Sequence, residues 1–405
     1  MERDEFYAEA RTDRTGPLDG IRVLDATRVW SGPQATCVLA DLGADVIRIE
    51  LPHGKDGDLP PRIPGTGLSW FRETVNRNKR SAGLDLREPS GQEAFLRLVR
   101  TADVVVENYR RGTLDRWGVG YRACREVRPD VVFVSITGWG QYGPGADRPG
   151  YDPVVQAAGG WMSLNGEPDG AAMRAPTFLA DELAGLHGAI GALAALRHRA
   201  ETGEGQHVDV SMLDSLLFGS CGLPTLAAAG EPPRRQGNET DFVVPANVFE
   251  CQDGPVYLAV AMNRQWRALA ALAGRPELAS APGYDTAAAR LANRERVNAV
   301  VADWCARHTA GEVTELAAAS GVTASPVRSL AQVVADPHVL ARDMVQTTVL
   351  HDGGTAPLVG PAVKFSRTPT RIRVPAPAVG EHTEEVLGEA EDATVPVGQM
   401  QEGSR

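Results

Sequence analysis

The chain has 405 residues, of which 43% are hydrophobic and 23% are charged, and its formal net charge is −11. This length exceeds the size at which a single core usually stops growing, so two domains are expected. The acidic balance argues against nucleic acid or an anionic membrane as the main partner. An anionic ligand would therefore need a local basic cluster.

The cysteines and histidines further limit the classes of protein to which the chain can belong. Five cysteines are scattered without a C-x-x-C pair, which fits a reduced interior and predicts a cytoplasmic location. The eight histidines show no metal-ligand spacing, so a bound metal is not expected. The N-terminal stretch is too polar for a signal peptide. The apolar run at 183–196 is too short to span a bilayer and predicts a buried helix.

From residue 20 onward, strand and helix patterns alternate along the chain. Strands are predicted at 21–26, 45–50, 81–86, 103–109, 131–137 and 207–212, and helices at 31–43, 90–102 and 181–199. Ser90 and Glu93 have the spacing of a capping box at the start of the second helix. This alternation predicts an α/β fold with a mostly parallel, Rossmann-like sheet.

The second half of the chain predicts a smaller inserted domain. Residues 225–245 are rich in proline, glycine and arginine, as a linker would be. A strand pair and Ala-rich helices follow within 246–325, and the strand and loop patterns after them fall within 326–405. We therefore predict a large domain built from both chain ends, 1–224 and 326–405, with a small α/β domain at 246–325.

A G-x-G-x-x-G sequence, Gly138 to Gly143, follows the strand at 131–137. A dinucleotide-binding loop of this type needs a helix that opens at the last glycine and faces the pyrophosphate. Residues 144–150 contain two prolines and two glycines instead, and these residues break helices. The pattern therefore excludes a nicotinamide-dependent dehydrogenase.

Asp181 stands where this breaker-rich region gives way to a long helix. A carboxylate there would accept backbone N–H bonds and lie at the positive helix end, which would keep it ionised and fixed. Such a carboxylate can act as a nucleophile on an activated acyl group. The alternative is an ordinary helix-capping aspartate, and Glu182 in the same turn is similarly ordinary.

Two groups of basic residues come near predicted strands: Arg72, Arg77, Lys79 and Arg80, then Arg110, Arg111 and Arg116. Loops at the carboxyl ends of parallel strands are where α/β proteins bind ligands, and arginines there can hold a polyphosphate. The alternative is a solvated charged surface. Tyr151 and Asp152 are first interpreted as packing or turn residues, and His187 as a core histidine.

These same residues carry a family resemblance. The segments 17–52, 76–86, 103–121, 135–144, 149–170, 179–215 and 380–387 occur in family order over nearly the whole chain. With them the chain resembles the class III CoA-transferases, which include formyl-CoA transferase and carnitine CoA-transferase, with α-methylacyl-CoA racemase as a relative.

The resemblance implies an acyl-CoA:carboxylate CoA-transferase with Asp181 as nucleophile. In the family mechanism the carboxylate forms a mixed anhydride and then an aspartyl-CoA thioester. The implied CoA-binding residues are Trp30, Ser31, Lys79, Asn108, Tyr109 and Arg116. CoA and acyl-CoA are substrates, a carboxylic acid is the second substrate, and no permanently bound cofactor is expected.

The resemblance also implies that Tyr151 is a catalytic residue of the active site, and this residue separates the two branches of the family. Racemase relatives carry a histidine in the equivalent G-H-D triplet, whereas this chain has tyrosine there. A phenol titrates near pH 10 and is a poor proton-abstracting base, so transfer is favoured and an acyl-CoA racemase or epimerase is the alternative. The formyl/oxalate subgroup's glycine-run loop is replaced by 236–249, which leaves donor and acceptor open. The resemblance also implies an interlocked homodimer.

Overall fold

The structure is a computed structural model that describes residues 2–392 apart from 55 and 57. The chain divides into two compact units. The first comprises Met1–Trp161, Arg174–Pro232 and Pro337–Arg405, and the second comprises Met162–Met173 and Pro233–Asp336. The predicted domain limits at 224, 245 and 325 stay a prediction.

The first unit is built on one parallel sheet. Its strands are β1 (Arg22–Ala26), β2 (Asp45–Glu50), β3 (Lys79–Gly83), β4 (Val104–Glu107), β5 (Val132–Thr137) and β6 (His207–Ser211). They lie in the order β3-β2-β1-β4-β5-β6, and every neighbouring pair is parallel. This is the strand order of the Rossmann fold, so the predicted fold class is confirmed.

The helices up to residue 228 are α1 (Arg3–Phe6), α2 (Ser31–Asp41), α3 (Trp70–Asn76), α4 (Pro89–Val99), α5 (Thr113–Arg116), α6 (Tyr121–Val127), α7 (Asp152–Ala158), α8 (Trp161–Leu164), α9 (Leu179–Thr202), α10 (Met212–Phe218) and α11 (Leu223–Ala228). Of these, α1 precedes the first strand, α2 to α9 lie between successive strands in the sequence, and α10 and α11 follow the last strand.

The second unit has its own sheet and core. Strands β7 (Ala246–Cys251), β8 (Gly254–Ala259) and β9 (Thr323–Pro326) form an antiparallel sheet. Its helices are α12 (Asn263–Leu272), α13 (Ala287–Ala292), α14 (Arg294–Cys305), α15 (Ala310–Ala319) and α16 (Leu330–Val334). Trp266 and Trp304 are buried at its centre.

The C-terminal part of the chain returns to the first unit. It contains α17 (Pro337–Ala341), the antiparallel pair β10 (Val345–Val349) and β11 (Thr355–Val359), and α18 (Thr383–Asp392). Val386 and Ala390 of α18 pack into the cluster on one face of the parallel sheet. Arg80 of β3 also pairs with Glu385 and Glu389 of α18. Both chain ends therefore contribute to this unit.

Two predicted element starts were displaced. β3 begins at Lys79, two residues before the predicted strand, and α4 begins at Pro89 with Glu88 as its N-cap. Proline is well suited to the first helical position because it needs no N–H partner there. Ser90 therefore lies inside the helix, and the predicted capping box was wrong.

Helix α9 is the one helix in the described part of the chain that is long and apolar enough to cross a membrane. Its residues Ala184, Ala189 and Ala192 are buried in the core cluster on one face of the sheet. A helix in the core of a globular protein can be equally long and apolar. The packing of α9 agrees with the buried helix that the sequence predicts.

The approach of α9 to α2 depends on small residues. A Cβ atom on Gly185 would lie 2.9 Å from the carbonyl oxygen of Ser31, and one on Gly188 would lie 3.2 Å from the Cβ of Ala35. Only hydrogen at these positions lets the two helices come so close. The contact places the start of α9 beside the start of α2.

We expect Gly185→Ala to destabilise the protein by about 1–3 kcal/mol, because the added methyl group must push the backbone of α2 away. The measurement is the midpoint of thermal unfolding. Gly388→Ala in α18 is the matched control: its Cβ meets no atom within 4 Å, so better helix propensity raises stability by up to about 1 kcal/mol. Equal effects of the two substitutions would contradict this account of the packing.

Candidate active site

Asp181 lies in the first turn of α9 and is only 8% exposed. The contact between α2 and α9 brings Ser31, the first residue of α2, beside it. The hydroxyl and backbone N–H groups of Ser31 both lower the pKa of the Asp181 carboxyl group. Both residues border one cavity. A buried carboxylate thus faces a ligand-sized space.

A second carboxylate, Asp152, occupies the N-terminal end of α9. Its Oδ1 atom accepts hydrogen bonds from the N–H groups of Ala180 at 2.7 Å and Asp181 at 3.4 Å. Its Oδ2 atom accepts one from Nε2 of Gln156 at 2.7 Å. The interpretation of Asp152 as an ordinary turn residue missed this positioning role, for which adjacency to Tyr151 was the sole signal in the sequence.

The environment of Asp181 changes its ionisation. Burial raises the pKa of Asp181 to about 7, and the carboxylates of Asp152 and Glu182 act in the same direction. The hydrogen bonds from Ser31 oppose this rise without cancelling it. The backbone N–H groups at the start of α9, which the sequence analysis expected to bind Asp181, are directed at Asp152 instead.

Trp30 and Asn108 hold the turn that precedes α2. The indole N–H of Trp30 donates to Oε1 of Glu182 at 2.9 Å. Asn108 accepts from the N–H of Arg28 and donates to its carbonyl oxygen, both at 2.7 Å, and donates to Oγ of Ser31 at 3.3 Å. These contacts join the ends of β1 and β4, which is the topological switch point where such sheets bind ligands.

Three neighbouring cavities form a groove at this switch point. The cavity beside Asp181 has a volume of about 330 Å³, and Ser31, Asn108 and Tyr109 are in its lining. Two others, of about 400 and 170 Å³, share Arg28 and Tyr109 with it. The combined space is of the size that small-molecule and cofactor sites have in proteins.

Lys79 does not line this groove. Its ammonium group is fully buried and donates to Asp25 Oδ2 at 2.8 Å, Thr36 Oγ1 at 2.8 Å, the Pro33 carbonyl at 3.0 Å and Asn76 Oδ1 at 3.2 Å. Because the ammonium group carries three protons and has four acceptors around it, it has no donor left for a ligand. In this structure Lys79 therefore ties β3 to β1 and α2, behind the candidate site.

The other members of the first basic group are also committed to internal partners. Arg72 pairs with Glu50 at 2.7 Å, Arg77 with Asp41 at 2.6 Å, and Arg80 with Asp45 at 2.7 Å. The second group remains exposed at the carboxyl end of β4. Within it, Arg116 donates to Oγ1 of Thr113 at 3.0 Å and does not border the three cavities.

Tyr151 ends the glycine loop and lines the Asp181 cavity with a side chain that is 68% exposed. The loop is closed at its base, where a Cβ atom on Gly138 would lie 2.9 Å from the Cα of Gly150. Gly140 and Gly143 have φ values of 82° and 94°, which glycine adopts without strain. No helix follows Gly143 before α7, so the glycines serve a closed loop.

Glu107 is a buried carboxylate that the sequence analysis did not single out. It accepts the backbone N–H of Tyr109 at 2.8 Å and so helps to fix the residue that borders all three cavities. Burial raises the pKa of Glu107 to about 7. Across the described residues 2–392, no three His, Cys, Asp or Glu side chains are grouped to hold a metal ion.

Together these features define an α/β enzyme in which a buried aspartate faces a groove at the switch point of a Rossmann-type sheet. The family model of CoA-transferase family III matches residues 18–383. The chain belongs to this family, and the predicted class of an acyl-CoA:carboxylate CoA-transferase is confirmed.

Characterised relatives agree over nearly their full length. The succinyl-CoA–L-malate CoA-transferase beta subunit of Chloroflexus aurantiacus is 39% identical over 93% of this chain and 95% of its own. The succinate–glutarate CoA-transferase of Agrobacterium fabrum is 38% identical over 94% of this chain and 97% of its own. A CAIB/BAIF family protein from Brucella suis superposes with a TM-score of 0.83 at 33% identity, covering 93% of this chain and all of the other.

Proposed function

We propose that this protein transfers CoA from an acyl-CoA to a carboxylic acid through a thioester on Asp181. The proposal depends on the placement of Asp181. This residue is buried and faces a cavity at the switch point, and its pKa is raised to about 7. The names of the relatives support CoA transfer between acyl-CoA and carboxylate as the reaction.

The reaction begins when an oxygen of the Asp181 carboxylate attacks the thioester carbon of the donor. The C–S bond breaks, giving a mixed anhydride and the CoA thiolate. The thiolate then attacks the Asp181 carbonyl carbon, forming aspartyl-CoA and releasing the donor acid as a carboxylate. The acceptor carboxylate repeats these steps in reverse order. One thioester replaces another, so the exchange needs no ATP.

The groove suggests how CoA lies relative to Asp181. Ser31 and Asn108 border the cavity of Asp181, and Tyr109 borders this cavity and both neighbouring ones. In this arrangement the thioester lies beside Ser31 and the CoA chain extends past Tyr109. Trp30 supports the site indirectly, through its hydrogen bond to Glu182. Arg116 remains the predicted phosphate contact, and Lys79 supports the site from within the fold.

Tyr151 supports transfer over racemisation. The racemase alternative requires an acid/base group opposite Asp181, and the residue that lines the cavity at this position is a tyrosine. The phenol can donate a hydrogen bond to a carboxylate or anhydride oxygen of the substrate. We assign it to substrate binding.

The covalent intermediate is directly testable. We expect intact-protein mass spectrometry after incubation with succinyl-CoA to show a CoA adduct that hydroxylamine removes. Asp181→Asn should form none and should lose at least ~10³-fold in turnover, as enzymes do when the nucleophile is removed. Glu201→Gln, an exposed carboxylate on the same helix, should retain the adduct. An adduct on Asp181→Asn would refute the assignment.

The pH dependence tests the coupling between the two aspartates. Because only the ionised carboxylate attacks, the rate of adduct formation should rise with pH through about 7 and then level off. Asp152→Asn removes a negative charge but keeps an oxygen for the N–H groups of α9. It should shift the midpoint of this profile to lower pH. A midpoint that does not move would show that the charge of Asp152 does not contribute to the pKa of Asp181.

We also propose a homodimer, as the family resemblance implies. On α9, Ile190 is 60% exposed and Leu186 is 44% exposed, and on α10 Phe218 is 81% exposed. Large apolar side chains grouped in this way mark surfaces that a partner covers. Sedimentation equilibrium should give twice the chain mass of 43.1 kDa; a single-chain mass would contradict the proposal. A cytoplasmic location stays a prediction.

A further inference from the structure

Four arginines line the cavity that contains Asp181: Arg28, Arg110, Arg111 and Arg148. This concentration of positive charge stands out in a chain with a net charge of −11. The thioester that reacts with Asp181 is uncharged and needs no such field. The cavity therefore has more positive charge than the reacting carbonyl group requires.

Three of these arginines already have acceptors within the chain. Arg28 is 3.5 Å from a carboxylate oxygen of Asp56. Arg111 pairs with the Asp147 carboxylate at 2.9 Å, and Arg110 donates to the Asp147 carbonyl oxygen. Arg148 differs, because its guanidinium makes no hydrogen bond or ion pair with any other described residue. It retains all five N–H donors for a ligand.

Arg148 is exposed, but it is carried on a closed loop. The indole N–H of Trp139 donates to the Pro149 carbonyl oxygen at 3.1 Å, and the backbone N–H of Arg148 donates to the Gly145 carbonyl oxygen at 2.9 Å. The preceding residue, Asp147, is held by Arg110 and Arg111. The base of the side chain is thus fixed from both sides.

Its position separates Arg148 from the CoA arm. Arg28 and Tyr109 border all three cavities of the groove, whereas Arg148 borders only the one that contains Asp181. A ligand group that reaches Arg148 belongs to the acyl part or to the free acid. Ile136, Trp139 and Met212 supply apolar lining in the same cavity, which suits the methylene groups of a short chain.

We propose that the acyl groups are short dicarboxylic acids and that Arg148 binds their distal carboxylate. This inference rests on the proposed CoA transfer at Asp181. One carboxyl group reacts at Asp181, while the other stays ionised and meets the planar guanidinium, which can hold it through two parallel hydrogen bonds. Arg148 would therefore select against monocarboxylates of the same length, which present a methyl group there.

The test compares succinyl-CoA with butyryl-CoA, which have equal carbon counts and differ in the distal group. The readout is the rate of CoA adduct formation on Asp181 at subsaturating donor. We expect wild type to prefer succinyl-CoA, and Arg148→Gln to lower the succinyl-CoA rate by about 10- to 100-fold with little change for butyryl-CoA. Arg148→Lys should restore part of the preference, because lysine keeps the positive charge but lacks the two parallel donors of the guanidinium.

Arg125→Gln, an exposed arginine on α6, is the matched control and should behave as wild type. An equal loss for both donors in Arg148→Gln would place Arg148 on CoA or in the fold and overturn the inference. Wild type without a preference would overturn it as well. Absence of an adduct from either donor in wild type would overturn the proposed function itself, and this inference with it.

Discussion

The close approach of α9 to α2 is the constraint on which the rest of the site depends. Two glycines of α9 leave room for α2, so the first turns of both helices meet above the ends of β1 and β4. Three contacts of the site accompany that meeting. Ser31 reaches Asp181, Trp30 reaches Glu182, and the turn between β1 and α2 is held by Asn108.

A buried ionic network supports this arrangement from within the sheet. Asp25 of β1 contacts Lys79 of β3 and Arg48 of β2, and Arg48 also contacts Glu50. The charges of Lys79 and Arg48 outweigh the effect of burial and lower the pKa of Asp25 to about 2. Removing one member of such a network leaves another charge buried without compensation, which is strongly destabilising. The network therefore fixes the relative positions of three strands beside the site.

The sequence could predict most of the sheet, because runs such as 131–137 are continuous and apolar and strands buried on both faces have that pattern. It could also mark Asp181, since the breaker-rich loop ends where a long helix begins. It could not predict the raised pKa of Asp181, which depends first on burial and then on the charge of Asp152 from another helix. The sequence groups Lys79 with the neighbouring arginines as a ligand-binding cluster for a similar reason: its partner Asp25 is 54 residues away, and local pattern carries no information about such a pairing.

The pairing of Asp152 with Asp181 has a consequence for the energy of the intermediate. In the resting protein two carboxyl groups share the start of one helix, and the N–H groups there are directed at Asp152. In the proposed anhydride and thioester, the Asp181 side chain carries no charge. Acylation therefore relieves the repulsion between the two groups, and release of the product restores it. The fold thereby brings the covalent state closer in free energy to the resting state, as a reversible exchange between similar thioesters requires.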